Sequence, residues 1–244
     1  MRTALVTGGA QGLGAIIVSS LVQAGYRVAI ADINPDVAQH LVKEHGEEKV
    51  AVFGLDVSNE NSVEQVLDQV EERFGLPWLL VNNAAVMKAQ PVLEIDMPTF
   101  ERIISVNLCG TFLCSQRFAR RLVAAKQSGR IVNIGSLAGQ NGGSATGAHY
   151  AASKGGIHTL TKVFARDLAP LGITVNAIAP GPLDLPSVAA TIGADRLPAL
   201  KAALPTGKLG RPITVARMVV EMAREDADGL TGSTIDINSG LYLR

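Results

Sequence analysis

Ala4-Leu5-Val6-Thr7-Gly8-Gly9-Ala10-Gln11-Gly12-Leu13-Gly14 opens the chain with an apolar run, a glycine turn and the start of a helical pattern. That order is what a phosphate-cradling turn needs. Glycines let the backbone approach a pyrophosphate closely, and a helix amino terminus presents unpaired N–H groups and a positive dipole end. The spacing is Gly-x-x-x-Gly-x-Gly, not the commoner Gly-x-Gly-x-x-Gly, and a glycine cluster alone can equally be a tight turn. Gly8, Gln11, Gly12, Leu13 and Gly14 are therefore candidate cofactor contacts.

Working outward, short apolar runs alternate with segments of helical period. Val28-Ala29-Ile30 precedes Val37 to Glu44, Val50 to Phe53 precedes Val63 to Phe74, and Trp78 to Val81 precedes Phe100 to Leu113. Ile131 to Ile134, a helix from about Tyr150 to Leu168, Ile173 to Ile178, and a last strand at Ser233 to Asn238 complete the series. Nearly continuous apolar strands separated by helices predict an α/β fold with a doubly wound parallel sheet of about seven strands, covered on both faces. Pro182 to Pro212 breaks the rhythm with Pro186, Pro198 and Pro205 between. A loop of that length inside a compact domain reads as a functional lid, or else as a surface insertion. There are no internal repeats.

At 244 residues the chain can bury a full core, and a single domain over 1–244 is expected. Twenty-two basic and twenty-two acidic residues cancel, which offers no attraction to nucleic acid or an anionic membrane and favours a small-molecule partner. No apolar stretch reaches the ~18 residues that cross a bilayer, and the amino terminus does not read as a signal peptide, so a soluble cytoplasmic protein is expected. Cys109 and Cys114 read as reduced packing groups rather than a bridge or metal pair, and no metal is expected.

The second strand ends at Asp32, about the distance past the glycines at which an acid meets the adenosine ribose. Its carboxylate can accept from the ribose hydroxyls and would repel a 2′-phosphate, so NAD(H) is favoured over NADP. Asp32 can instead cap the turn before Pro35. Asp56-Val57 and Asn82-Asn83 follow the third and fourth strands, where ligands of open α/β sheets lie. Both pairs can line the adenine and ribose trough, and the asparagines can equally form a structural turn.

Tyr150 and Lys154 stand four apart in His149-Tyr-Ala-Ala-Ser-Lys-Gly, on one helix face. A phenol of pKa about 10 is a poor base, but a nearby ammonium stabilises the phenolate and lowers that pKa, allowing proton exchange with an alcohol or carbonyl oxygen. The spacing alone can arise by chance. Ser136, just past the fifth strand, can hold the reacting oxygen opposite Tyr150, or be an ordinary turn residue.

Thr7-Gly8-x-x-x-Gly12-x-Gly14, Asn82-Asn83-Ala84-Ala85, Asn107, Ser136, Tyr150-x-x-x-Lys154 and Pro180-Gly181 occur in this order over nearly the whole chain. In them the sequence resembles the short-chain dehydrogenase/reductase family, and is similar to its 3-oxoacyl-carrier-protein reductase-like and NAD-dependent alcohol or polyol dehydrogenase members. The resemblance implies a Rossmann-type sheet, an oxidoreductase acting on a secondary alcohol or ketone, and a homo-oligomer, tetramer or dimer, formed through the helices near 100–125 and 150–168. It implies that Tyr150 is the proton donor or acceptor, that Ser136 orients the substrate oxygen, and that Lys154 lowers the tyrosine pKa and bonds the nicotinamide ribose. Asn107 would hold a water linking Lys154 to solvent; by composition alone it can be a plain helix residue. The backbone after Pro180-Gly181, with Leu183, would meet the nicotinamide carboxamide. Ala85 replaces the family's usual glycine, and Leu185 stands where threonine often bonds the carboxamide. The glycine-rich run Gln140-Asn-Gly-Gly-Ser-Ala-Thr-Gly would shape a pocket wall. A 3-oxoacyl thioester reductase, and a non-catalytic NAD sensor, are the competing readings.

Overall fold

The computed structural model describes residues 1–143, 145–193 and 195–243. Ser144 in the glycine-rich run, Ala194 in the expected lid and Arg244 at the chain end lie outside them. In chain order the structure has β1 (Thr3–Thr7), α1 (Gly12–Gln23), β2 (Arg27–Asp32), α2 (Gln39–His45), β3 (Val50–Gly54), α3 (Glu60–Phe74) and β4 (Leu79–Asn82). Then follow α4 (Met97–Ile104), α5 (Gly110–Ala124), β5 (Gly129–Ile134), α6 (Ala138–Asn141), α7 (Ala148–Leu168) and β6 (Ile173–Pro180). The chain closes with α8 (Pro186–Ile192), α9 (Leu197–Ala203), α10 (Pro212–Met222) and β7 (Thr234–Ile237).

All seven strands pair in parallel, in the order β3-β2-β1-β4-β5-β6-β7. The order reverses between β1 and β4, the point at which open α/β sheets leave a crevice beyond their carboxyl ends. Strand alternation sends side chains to two cores. Ala4, Val6, Val28 and Ile30 face one side with Ile17, Leu21 and Val219 from α1 and α10. Leu5, Ala29 and Ala31 face the other with Val66, Val70, Phe118 and Leu122 from α3 and α5. Both faces of the central strands are therefore dry, which explains their unbroken apolar character in the sequence.

Three differences from the sequence reading matter. The helix expected to stop at Leu113 runs on to Ala124, and a five-residue π turn, Ser105–Cys109, interrupts it at Asn107. No element was expected between Pro212 and Ser233, yet α10 lies there, with proline in its first turn and buried Val215, Ala216, Val219 and Met222. The segment 182–212 is not a bare loop: it holds α8 and α9, and Leu183 pairs with Gly210 at its base. Cys114 is buried, but Cys109 is exposed and does not pack inside as expected; both are free thiols. Among the described residues, no helix is long and apolar enough to cross a membrane.

Candidate active site

The glycine turn is shaped by close approach. Gly8 and Gly12 have φ of 63° and 56°, in the left-handed region that favours glycine. A Cβ on Gly14 would overlap the Gly8 carbonyl oxygen, while one on Gly12 would meet nothing within 4 Å. No side chain caps α1, and its first turn carries no acid. The first N–H groups of α1 thus lack a side-chain partner beside Gln11, Gly12 and Leu13, which suits a diphosphate. A dinucleotide fits these residues.

Asp32 is committed in part to protein groups. Its carboxylate accepts from the Ala10 N–H at 3.0 Å and from the Asn34 N–H at 3.0 Å, so it fixes the glycine turn as well as capping the segment after β2. Each carboxylate oxygen retains acceptor capacity for a ribose hydroxyl. The Asp56 carboxylate accepts from the Ser58 N–H and hydroxyl at 2.9 and 2.6 Å, and Val57 is buried in the core. Asp56 therefore closes the turn before α3, and Val57 can offer a ligand only its backbone. The Asn83 side chain donates to the carbonyls of Thr7 at 3.1 Å and Gly8 at 2.7 Å. The structural alternative thus describes Asn83: it ties the end of β4 to the glycine turn.

Tyr150 and Lys154 lie in the first two turns of α7, facing the end of β5. The Lys154 ammonium is buried and donates to the Ile134 carbonyl at 2.7 Å, 5.7 Å from the centre of the Tyr150 ring. Burial lowers its pKa to about 8. Burial also raises the Tyr150 pKa, while a hydrogen bond with the Ser136 side chain pulls it the other way. This corrects the sequence expectation that Lys154 depresses the phenol. The lysine points at a carbonyl rather than the phenolic oxygen, and burial acts on both groups to favour their neutral forms.

Asn107 is fully buried within the π turn. Its side-chain oxygen accepts from the Val86 N–H at 2.8 Å, and its amide donates to the Val86 carbonyl at 2.9 Å and the Ser153 hydroxyl at 3.1 Å. Ser153 in turn donates to the Tyr150 carbonyl at 2.7 Å. The Asn107 side chain is thus a clamp between the loop after β4 and α7, which leaves its backbone carbonyl, already accepting from Thr111 at 2.7 Å, as the group that could face water.

Pro180 ends β6 and its carbonyl accepts from the Leu137 N–H at 2.9 Å; Gly181 bonds the Ile237 carbonyl, and a Cβ there would come within 2.8 Å of the Asn238 Cα. Leu183 and Leu185 both turn their side chains toward the apolar core of α1 and α10. Leu183 can reach a cofactor only through its backbone, and Leu185 cannot replace a threonine hydroxyl.

Sequence reasoning missed the polar frame behind these groups. The buried Asn82 amide donates to Ser115 at 2.9 Å and Asn133 at 2.8 Å, and Asn133 donates to Thr161 at 3.0 Å, linking β4, β5, α5 and α7. His158, one turn beyond Lys154, lies 3.0 Å from the Ser136 carbonyl. Its signal was present as the next residue at four-residue spacing on the same face.

Known proteins resemble the chain over nearly its full length. The family model for short chain dehydrogenase matches residues 2–196. A sorbitol dehydrogenase of Cereibacter sphaeroides is 34% identical over 252 aligned residues, covering 99% of this chain and 98% of its own. The 3-oxoacyl-(acyl-carrier-protein) reductase of Vibrio cholerae is 34% identical over 242, covering 99% and 98%. The solved sorbitol-6-phosphate 2-dehydrogenase of Erwinia amylovora superposes with a TM-score of 0.92 at 32% identity, covering 99% of this chain and all of that one. With the family model matching residues 2–196 and relatives 34% identical over nearly the whole chain, the chain belongs to the short-chain dehydrogenase/reductase family of oxidoreductases.

Proposed function

We propose that the chain is a cytoplasmic, single-domain NAD-dependent dehydrogenase that interconverts a secondary alcohol and a ketone, with Tyr150 as general acid and base. The observation that carries this reading is the meeting of α7 with the carboxyl end of β5, where Lys154 donates to the Ile134 carbonyl at 2.7 Å, His158 lies 3.0 Å from the Ser136 carbonyl, and the Ser136 side chain lowers the pKa of the Tyr150 phenol. Ser136 and Tyr150 converge on one substrate oxygen: Ser136 holds it, and Tyr150 gives it a proton in reduction or takes one in oxidation. With its pKa raised by burial, Tyr150 is a neutral phenol at neutral pH, ready to donate in reduction; in oxidation it must first give up its own proton before it can take that of the alcohol. Lys154, at about 8, exchanges protons near neutral pH; since its ammonium donates to the Ile134 carbonyl, 5.7 Å from the Tyr150 ring centre, it would reload Tyr150 through an intervening hydroxyl or water. The backbone of Gly8, Gln11, Gly12, Leu13 and Gly14 binds the diphosphate, Asp32 the adenosine ribose, and Lys154 the nicotinamide ribose. When bound, the nicotinamide accepts or supplies the hydride at carbon. The segment 182–212, with α8 and α9, closes over the substrate and excludes water.

Two substrate classes follow from the relatives: a polyol such as sorbitol and a 3-oxoacyl thioester. Asp32 favours the polyol dehydrogenase, since NAD suits oxidation. A screen of both classes with each nucleotide, followed by nicotinamide absorbance, tests this; no turnover of either above that of the Tyr150→Phe variant would overturn the reading.

For the nucleotide, NADH is expected to bind at least about tenfold more tightly than NADPH in a fluorescence titration, about 1.4 kcal/mol. Asp32→Asn keeps an oxygen acceptor and removes the charge, so it should narrow that gap. Equal affinities in the wild type would remove Asp32 from its selective role.

Partner copies of the chain are expected on the α5 and α7 face. Phe112 and Val163 are exposed there, and Phe112 meets Phe164 edge to face at 5.8 Å. Apolar side chains left on a helix pair fit a self-complementary interface. Light scattering should report a dimer or tetramer, and a monomer would remove this assignment.

A further inference from the structure

Helix α7 presents Tyr150, Lys154 and His158 at four-residue intervals, so all three lie on one face. Each reaches the end of β5 at a different group. The Tyr150 phenol lies by the Ser136 side chain, which lowers its pKa, Lys154 donates to the Ile134 carbonyl, and His158 meets the Ser136 carbonyl, with Nε2 at 3.0 Å. A carbonyl only accepts, so Nε2 carries the proton in this contact. The contact has a built seat. A Cβ on Gly135 would run into Cε1 of His158, and lie 3.1 Å from both ring nitrogens, so the glycine is what lets the imidazole lie over the turn.

The rest of the turn is already fixed. The Gly135 N–H donates to the Ile178 carbonyl at 2.8 Å and the Leu137 N–H to the Pro180 carbonyl at 2.9 Å. The Ser136 hydroxyl accepts from the Ala138 N–H at 3.1 Å. The direction in which that hydroxyl faces Tyr150 follows from the tilt of the Ser136 peptide. The Ser136 carbonyl, which accepts from the Gly139 N–H at 3.0 Å as well as meeting the His158 ring, is the handle on that tilt.

We propose that His158 is a positioning residue for the reaction: seated over Gly135, it holds the Ser136 carbonyl and so aims the Ser136 hydroxyl at Tyr150. This rests on the reading that Ser136 and Tyr150 act together on the substrate oxygen. His158 would act through Ser136, whose carbonyl it meets at 3.0 Å. Few charges intervene. Tyr150 is faced by Lys154 on its own helix; α6 and β6 carry no charged residue, and Glu101 and Arg102 of α4 are exposed. On α5, Arg120 is exposed, and Arg117 and Arg121 pair with acids of α3.

The test uses His158→Leu, His158→Gln and Gly135→Ala. Leu fills the seat without a donor, Gln restores a donor near Nε2, and the alanine methyl displaces an intact imidazole. His158→Leu should lower kcat about tenfold with the Kd for NADH unchanged. Because the Ser136 side chain lowers the Tyr150 pKa, the alkaline limb of the pH–kcat profile for ketone reduction, in which Tyr150 must hold its proton, should also move to higher pH. Gln should restore both. The rescue separates Tyr150 from the loss of the imidazole's own titration, which Leu and Gln share. Gly135→Ala should reproduce the effects of His158→Leu. A folded His158→Leu with wild-type kcat and pH limb would overturn the proposal. So would a lowered melting temperature with an unmoved limb, which marks a merely structural histidine. Should His158→Leu not fold, an unmoved limb in Gly135→Ala overturns it instead. Absence of Tyr150-dependent turnover in the wild type would refute the underlying site reading itself.

Discussion

Tyr150→Phe should lower kcat by about 10³-fold, close to 4 kcal/mol in barrier, while leaving NADH affinity and melting temperature near their wild-type values. The substitution removes one oxygen from a half-buried ring and changes no volume that the core depends on. Ser136 would still hold the substrate oxygen, so binding should persist while proton transfer fails. The loss should therefore appear in kcat far more than in KM. Steady-state rates beside a nucleotide titration would decide it. A loss of less than tenfold would show that another group moves the proton.

Lys154→Met should separate activity from stability in the opposite sense. Turnover should fall by about 10²-fold or more, since the general acid loses the group that reloads it. Stability of the protein alone should rise near pH 7. The ammonium is buried, and its pKa falls from 10.5 to about 8 on folding. Below pH 8 the lysine is charged in both folded and unfolded chains, and the folded state carries the full cost of burying it, on the order of 3 kcal/mol. Between about 8 and 10.5 the folded lysine has lost its proton while the unfolded one keeps it, so wild-type stability climbs with pH. Above that window both are neutral and the cost is gone. The Met variant lacks this slope. Its advantage should thus be greatest below pH 8 and vanish toward pH 10.5, reduced throughout by the Ile134 carbonyl it leaves without a donor. Denaturant melts across that range would reveal it; a variant less stable than wild type at pH 7 would show that the carbonyl bond outweighs burial.

The fold was legible because its signals are local. Strands buried on both faces read as continuous apolar runs, and the glycine turn sits between the first strand and its helix. What failed to show was set by long-range packing. The π turn depends on Asn107 meeting Val86 and Ser153, partners 21 and 46 residues away, and no periodicity encodes that. Helix α10 was obscured by the proline-rich stretch before it, although Val215, Ala216, Val219 and Met222 carry the right spacing. In the site, residue types announced Tyr150, Lys154 and Ser136, but not where their polar atoms point. The lysine was expected to act on the tyrosine, and it is the Ile134 carbonyl that claims it. Asn83 and Asp56 looked like ligand contacts because they stand at strand ends, and their hydrogen bonds are largely spent on the protein itself.

The π turn also sets the register of the helix that follows it. A helix gains such a turn when one residue is inserted, and each residue advances an α-helix by about 100°. Remove one residue from Ser105–Cys109 and the backbone could relax into an uninterrupted α-helix joining α4 to α5. Asn107 would then swing away from Val86 and Ser153. The irregularity thus costs the helix its regular ladder and holds Asn107 against Val86 and Ser153 in return.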